Sequence, residues 1–261
     1  MSAVDYSVSD HVATITLNRP DAMNAVNAEL ATGLGEALAR ANQDSAVRVV
    51  VLTGSGRAFC AGADLKAISR GEDIGATGHP EWGFAGFVQH WSDKPVIAAV
   101  NGFAMGGGTE LALACDLVVA AQSATFGLPE VRRGLIAAAG GLLRIQHQIA
   151  PKRAMELTLT GEPIDAATAL QWGLINRVSD DPLADAIRLA ELIASNAPLA
   201  VRQTKRLLHQ TRTAASDWDP AWEGQDPWAV NTEESMKVFI HDDAMEGPTA
   251  FAQKREPRWT D

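Results

Sequence analysis

Cysteine is scarce in this sequence: Cys60 and Cys115 are the only two in 261 residues, and they form no CxxC pair. That count gives no disulfide framework and fits a chain folding in a reducing compartment, with both thiols acting as small buried apolar groups. Positive charge is also short, with 22 Lys and Arg against 32 Asp and Glu for a net charge of −10. Such a balance repels polyanions and argues against a nucleic-acid partner. No run of about 18 uncharged apolar residues occurs, and Met1 to Asp10 lacks the apolar stretch of a secretory signal. The expectation is a soluble, cytoplasmic protein with no membrane partner. The six histidines make no HxxxH pattern, Gly54-Ser55-Gly56 lacks the GxSxG frame, and neither glycine loop completes GxGxxG. Metal, serine-hydrolase and nucleotide-cofactor readings are therefore set aside. No fixed-period repeat or low-complexity tract is present.

What remains is an ordinary core-forming chain, 46% hydrophobic, with alternating strand and helix patterns. Val12, Thr14, Thr16 and Asn18 alternate as in a strand, which stops at Arg19-Pro20 before a helix rich in Ala, Leu and Glu. Val47 to Thr53 is a nearly continuous β-branched run, as in a strand covered on both faces. Further strands are expected over Pro95 to Val100, Leu117 to Ala121 and near Val178. Helices are expected over Thr109 to Ala114 and Ala154 to Leu159, and along the face formed by Leu183, Ile187, Ala190 and Ala194. The class is α/β. Beyond Pro198 strand signals vanish, which divides the chain into a core over 1–198 and a helical region over 199–261, with helices near Val201 to Leu208 and Glu233 to Ile240.

Two loops carry the chemical signal: AFCAGADLK, Ala58 to Lys66, which follows a buried strand, and NGFAMGGGTEL, Asn101 to Leu111, which opens a helix. Each is suited to present backbone N–H groups at a strand end, where α/β sheets bind ligands and where an oxyanion needs donors. Read separately, Gly106-Gly107-Gly108 also fits a tight turn, Glu110 a favourable charge at a helix N-terminus, and Lys66 a solvated surface lysine. Trp82, Phe84, Phe87 and Trp91 fit a core stripe or one wall of an acyl pocket.

Together, these loops resemble those of the enoyl-CoA hydratase/isomerase, or crotonase, superfamily. The resemblance extends from LNRPDAMNAV at Leu17 to Val26, through FGLPE at Phe126 to Glu130, to EGPTAFAQKR at Glu246 to Arg255. It implies a spiral of ββα units forming two sheets, followed by a helical carboxy-terminal region that builds homotrimers or homohexamers. It further implies that the amides of Ala63 and Gly107 form an oxyanion hole for a thioester carbonyl, with Glu110 and Glu130 as the acid–base pair. By the same resemblance Ala61, Asp64, Leu65 and Lys66 would contact coenzyme A, Ala22 would line its adenine, and Phe251 and Lys254 would approach it from a neighbouring subunit. Coenzyme A would be part of the substrate, with no separate cofactor.

The implied reaction is reversible syn hydration of a trans-2-enoyl-CoA to a 3-hydroxyacyl-CoA, placing the chain in fatty acid metabolism and β-oxidation. Glu110 would activate water and Glu130 would protonate the α-carbon. Double-bond isomerisation and non-catalytic acyl-CoA binding are the alternatives. One departure stands out: many hydratases of this family have a Pro-Gly pair where this chain has Ala137-Ala138, so a methyl at Ala138 would crowd the water site or shift the backbone near Glu130.

Overall fold

The computed structural model describes residues 2–210, 228–229, 231–232, 236, 239–240, 242–255 and 258. Strands β1 (Val4–Ser9), β2 (Val12–Leu17), β3 (Val49–Gly54), β5 (Val96–Val100), β7 (Leu117–Ala121) and β10 (Arg177–Ser179) build a six-stranded sheet in the order β1-β2-β3-β5-β7-β10. Only the β1–β2 pair is antiparallel within it. The second sheet has four short strands, β4 (Ala58–Cys60), β6 (Phe103–Met105), β8 (Thr125–Gly127) and β9 (Ile164–Asp165), in that order.

The β-branched run of β3 is buried on both faces, as its composition predicts. Because side chains alternate along a strand, Val49 and Val51 face one way and Val50 and Leu52 the other. The first set joins Val12, Ile97, Ala99 and Val119 in a core closed by Ala186, Ala190 and Ala194 of α7 (Pro182–Ala194). The second set joins the larger core, together with Leu30, Leu34 and Leu38 of α1 (Ala28–Gln43). Helix α1 is capped by the Asn27 side chain, which accepts from the Leu30 amide and satisfies one of the donors left free at a helix start.

Seven more helices are described: α2 (Leu65–Ser69), α3 (Gly107–Ala114), α4 (Gly141–Ile145), α5 (Pro151–Thr160), α6 (Ala166–Trp172), α8 (Pro198–Gln210) and α9 (Asp242–Gln253). Helix α8 starts at Pro198, where the strand signals of the sequence end. The helix expected over 233–240 lies largely outside the described residues. No helix among those described is long and apolar enough to cross a membrane.

Candidate active site

The site is assembled by three neighbouring strands of the small sheet. Strand β4 runs parallel to β6, pairing Ala58 with Phe103 and Cys60 with Ala104, and β6 runs parallel to β8, pairing Met105 with Gly127. Their carboxyl ends therefore open side by side. The first leads to Ala63, the second to Gly107 and Glu110, and the third to Glu130. This is where parallel strands present ligands to loop amides and helix N-termini.

Backbone bonds to the LNRPDAMNAV segment hold the first loop. Ala61 N donates to Met23 O (3.0 Å), Val26 N to Gly62 O (2.8 Å) and Asp64 N to Val26 O (2.9 Å). Behind them the buried Asn24 amide donates to Ala58 O (2.8 Å) and Ser55 O (3.0 Å), while its Oδ1 accepts from Arg19 N (2.8 Å). Gly62 adopts φ +88°, and a Cβ there would stand 2.8 Å from Met105 O and 3.0 Å from Gly107 N. The first two loops thus touch through a residue that must be glycine.

Neither the Ala63 amide nor the Gly107 amide meets an acceptor among the described residues. Gly107 is the first residue of α3, so its N–H sits at the positive end of the helix dipole. The Phe84 ring covers the Cβ side of Gly107, leaving no room for a side chain. Both donors are thus unspent among the described residues, and that of Gly107 lies beside a closed wall.

Glu110, on the first turn of α3, is only 3% exposed. Its Oε1 accepts from Gly141 N at 2.8 Å, and the Ala139 backbone also supports it. Glu130 stands in a 3-10 turn over Pro129–Arg133, with its Oε2 buried and without a hydrogen-bond partner among the described residues. A Cβ on Gly106 would lie 3.0 Å from Glu130 Oε1, which sets this carboxyl against the same glycine turn that starts α3. Thr109 locks the turn to β8: its hydroxyl lies 2.6 Å from Ala104 O and 2.9 Å from Gly127 O, and accepts from Gly127 N at 3.0 Å.

Burial, reinforced by the negative charge of Glu130, holds the Glu110 carboxyl above the ordinary carboxylate range. Burial also raises Glu130. The negative charge of Glu130 opposes ionisation of Glu110, so the two titrate as a pair.

The other residues singled out in the sequence fall around this centre. Ala22 ends the short 3-10 turn Pro20–Ala22. Asp64 caps α2, accepting from Ala67 N at 3.1 Å, and pairs with Arg19 at 3.2 Å, so its carboxylate is engaged in holding the loop. Leu65 begins α2, and Lys66 on that helix is exposed. Phe251 and Lys254 lie at the end of α9, which packs on α2 and on the Glu130 turn of its own chain. Gly247 allows this approach, because a side chain there would strike the Arg133 backbone. The Arg133 guanidinium stands 5.3 Å from the Phe251 ring centre.

Phe87 is core, Trp82 is stacked between His79 and His90, and Trp91 meets His209 and Lys205, so of the aromatic stripe Phe84 is the member against Gly107. Ala137 is buried, and the Ala138 carbonyl accepts from Asn231 Nδ2 at 2.8 Å. Sequence reading missed Asn24, a polar side chain with no exposed surface, and Arg144, a buried arginine beside the turn that holds Glu110. An isolated asparagine or arginine carries no pattern that announces burial.

Residues 7–261 match the family described as enoyl-CoA hydratase/isomerase. The chain belongs to this family. It is 41% identical over 257 residues to a carnitinyl-CoA dehydratase of Proteus mirabilis, covering 95% of this chain and 94% of that one. Among solved structures it resembles a carnitinyl-CoA hydratase from Mycobacterium avium, with 51% identity, a TM-score of 0.91, and 100% and 99% of the two chains covered. It also resembles an enoyl-CoA hydratase from Mycobacterium tuberculosis H37Rv, with 44% identity, a TM-score of 0.78 and the same coverage. The fold is that of the crotonases, as the loops imply.

Proposed function

We propose that this enzyme reversibly adds water to the double bond of a 2-enoyl-CoA, giving the 3-hydroxyacyl-CoA. The reading is supported by the unspent Ala63 and Gly107 amides on neighbouring loops, together with two buried carboxyls whose ionisation burial opposes. In the hydration direction, one carboxylate takes a proton from water as its oxygen bonds to the β-carbon. The double-bond electrons move to the thioester oxygen, where the two amides meet the growing charge. The second carboxylic acid then protonates the α-carbon, and the carbonyl reforms.

In this reading Glu110, whose Oε1 is held by the Gly141 amide, is the base toward water and Glu130 is the proton donor. Both acids acting from one side of the double bond would make the addition syn. The relatives' names extend the test to acyl groups bearing a quaternary ammonium. The assay is loss of enoyl-thioester absorbance across short, long, cyclic and crotonobetainyl esters, with water oxygen traced into the product. A double-bond isomerase would incorporate no solvent oxygen, and a mere binder would leave the thioester unchanged.

A further inference from the structure

Arg144 is 2% exposed, and it is not among the reacting groups named above. A buried guanidinium is costly unless hydrogen bonds and an opposite charge compensate it. Its Nη2 donates to Val88 O at 2.7 Å, and its Nη1 stands 3.5 Å from Ala139 O. Its Cζ lies 5.7 Å from the Trp228 ring centre. Val88 belongs to the segment whose Phe84 covers Gly107, while Ala139 begins the turn whose Gly141 amide holds Glu110. Between them Gly140, at φ +89°, leaves the space through which the guanidinium passes, since a Cβ there would collide with Nη1. One nearby negative group among the described residues is Glu110, whose ionised form the Arg144 charge favours against burial and Glu130.

We propose that Arg144 is a positioning residue that fixes the 139–141 turn against the 84–88 segment, so that amides of that turn hold the Glu110 carboxyl at the angle needed to take a proton from water. The role rests on the hydratase reading. The geometry itself joins the acyl-side wall, the turn and the acid–base pair through one side chain.

R144M, R144Q and R144K test it, with folding followed by circular dichroism. R144M and R144Q are expected to lower kcat/KM about 100-fold, chiefly in kcat, the cost of a misplacement on the order of 1 Å. Both are also expected to move the acid limb of the pH profile upward, because a positive charge near Glu110 is gone. R144K is expected to keep the limb in place while losing part of the rate. Folded R144M or R144Q with the wild-type rate, or with a lowered rate and an unmoved limb, overturns the proposal. If R144M does not fold, R144Q and R144K decide by the same criteria.

Wild-type protein inert on every ester would instead defeat the hydratase reading. The positioning geometry is then tested by carbon-13 titration of glutamate side chains, with E110Q assigning the signal. Glu110 is expected to titrate at higher pH in R144Q, and an unchanged midpoint overturns the inference.

Discussion

The Gly141 amide donates to Glu110 Oε1 at 2.8 Å, tying the turn that follows Glu130 to the helix that carries the other acid. Neither carboxyl is therefore placed alone. Removing either proton-transfer group while keeping its shape should cost at least about 100-fold in hydration rate, within the range of general acid–base catalysis. Steady-state kinetics of E110Q and E130Q check this. Either variant retaining wild-type kcat would remove that residue from the chemistry.

Contact between Phe84 and Gly107 makes a steric prediction. A methyl at 107 meets the ring, so G107A should displace the α3 amide and lower kcat by about 100-fold or more, as when an oxyanion donor is lost. Trimming the ring in F84A/G107A should recover part of that loss. Equal kcat for G107A and wild type would mean that this amide meets no reacting oxygen.

The raised Glu110 carboxyl also makes stability depend on pH. The unfolded chain ionises this group near its ordinary value of 4.5, whereas burial delays ionisation in the folded chain. The stability it contributes is complete below the unfolded value and is lost as pH rises through the higher folded one. The neutral amide of E110Q removes this loss. Relative to wild type, the melting temperature of E110Q should climb from acid to alkaline pH, and parallel curves for the two proteins would contradict the assignment.

Leu192 on α7 and Leu199, Leu207 and Leu208 on α8 are exposed in the single chain. Apolar surface of this kind is where a contact between subunits is expected. Light scattering is expected to return three or six chains per particle, and a stable, active monomer would defeat the expectation.

The sequence made the interior strands and α7 legible because burial on both faces leaves β-branched runs, as in β3, and because α7 repeats its apolar residues at helical spacing. Strand β1 escaped notice: it is an edge strand in which Val4 is the one buried residue, although Val4, Tyr6 and Val8 alternate with polar residues. Strands β4, β6, β8 and β9 have two or three residues each, too few for alternation to register, yet three of them aim the site. The loops were recognisable as motifs, whereas their support was not. Asn24 and Arg144 act through burial and long-range contacts, which one sequence does not display. The seating of α9 likewise depends on Gly247 meeting a backbone carbonyl far away in the chain.

The most direct test of the account is a crystal structure with a bound 3-hydroxyacyl-CoA. The thioester oxygen is expected at roughly 2.7–3.1 Å from both the Ala63 and Gly107 nitrogens, with the 3-hydroxyl against the Glu110 and Glu130 carboxyls. A thioester oxygen bound away from either amide, or a 3-hydroxyl remote from both acids, would contradict it.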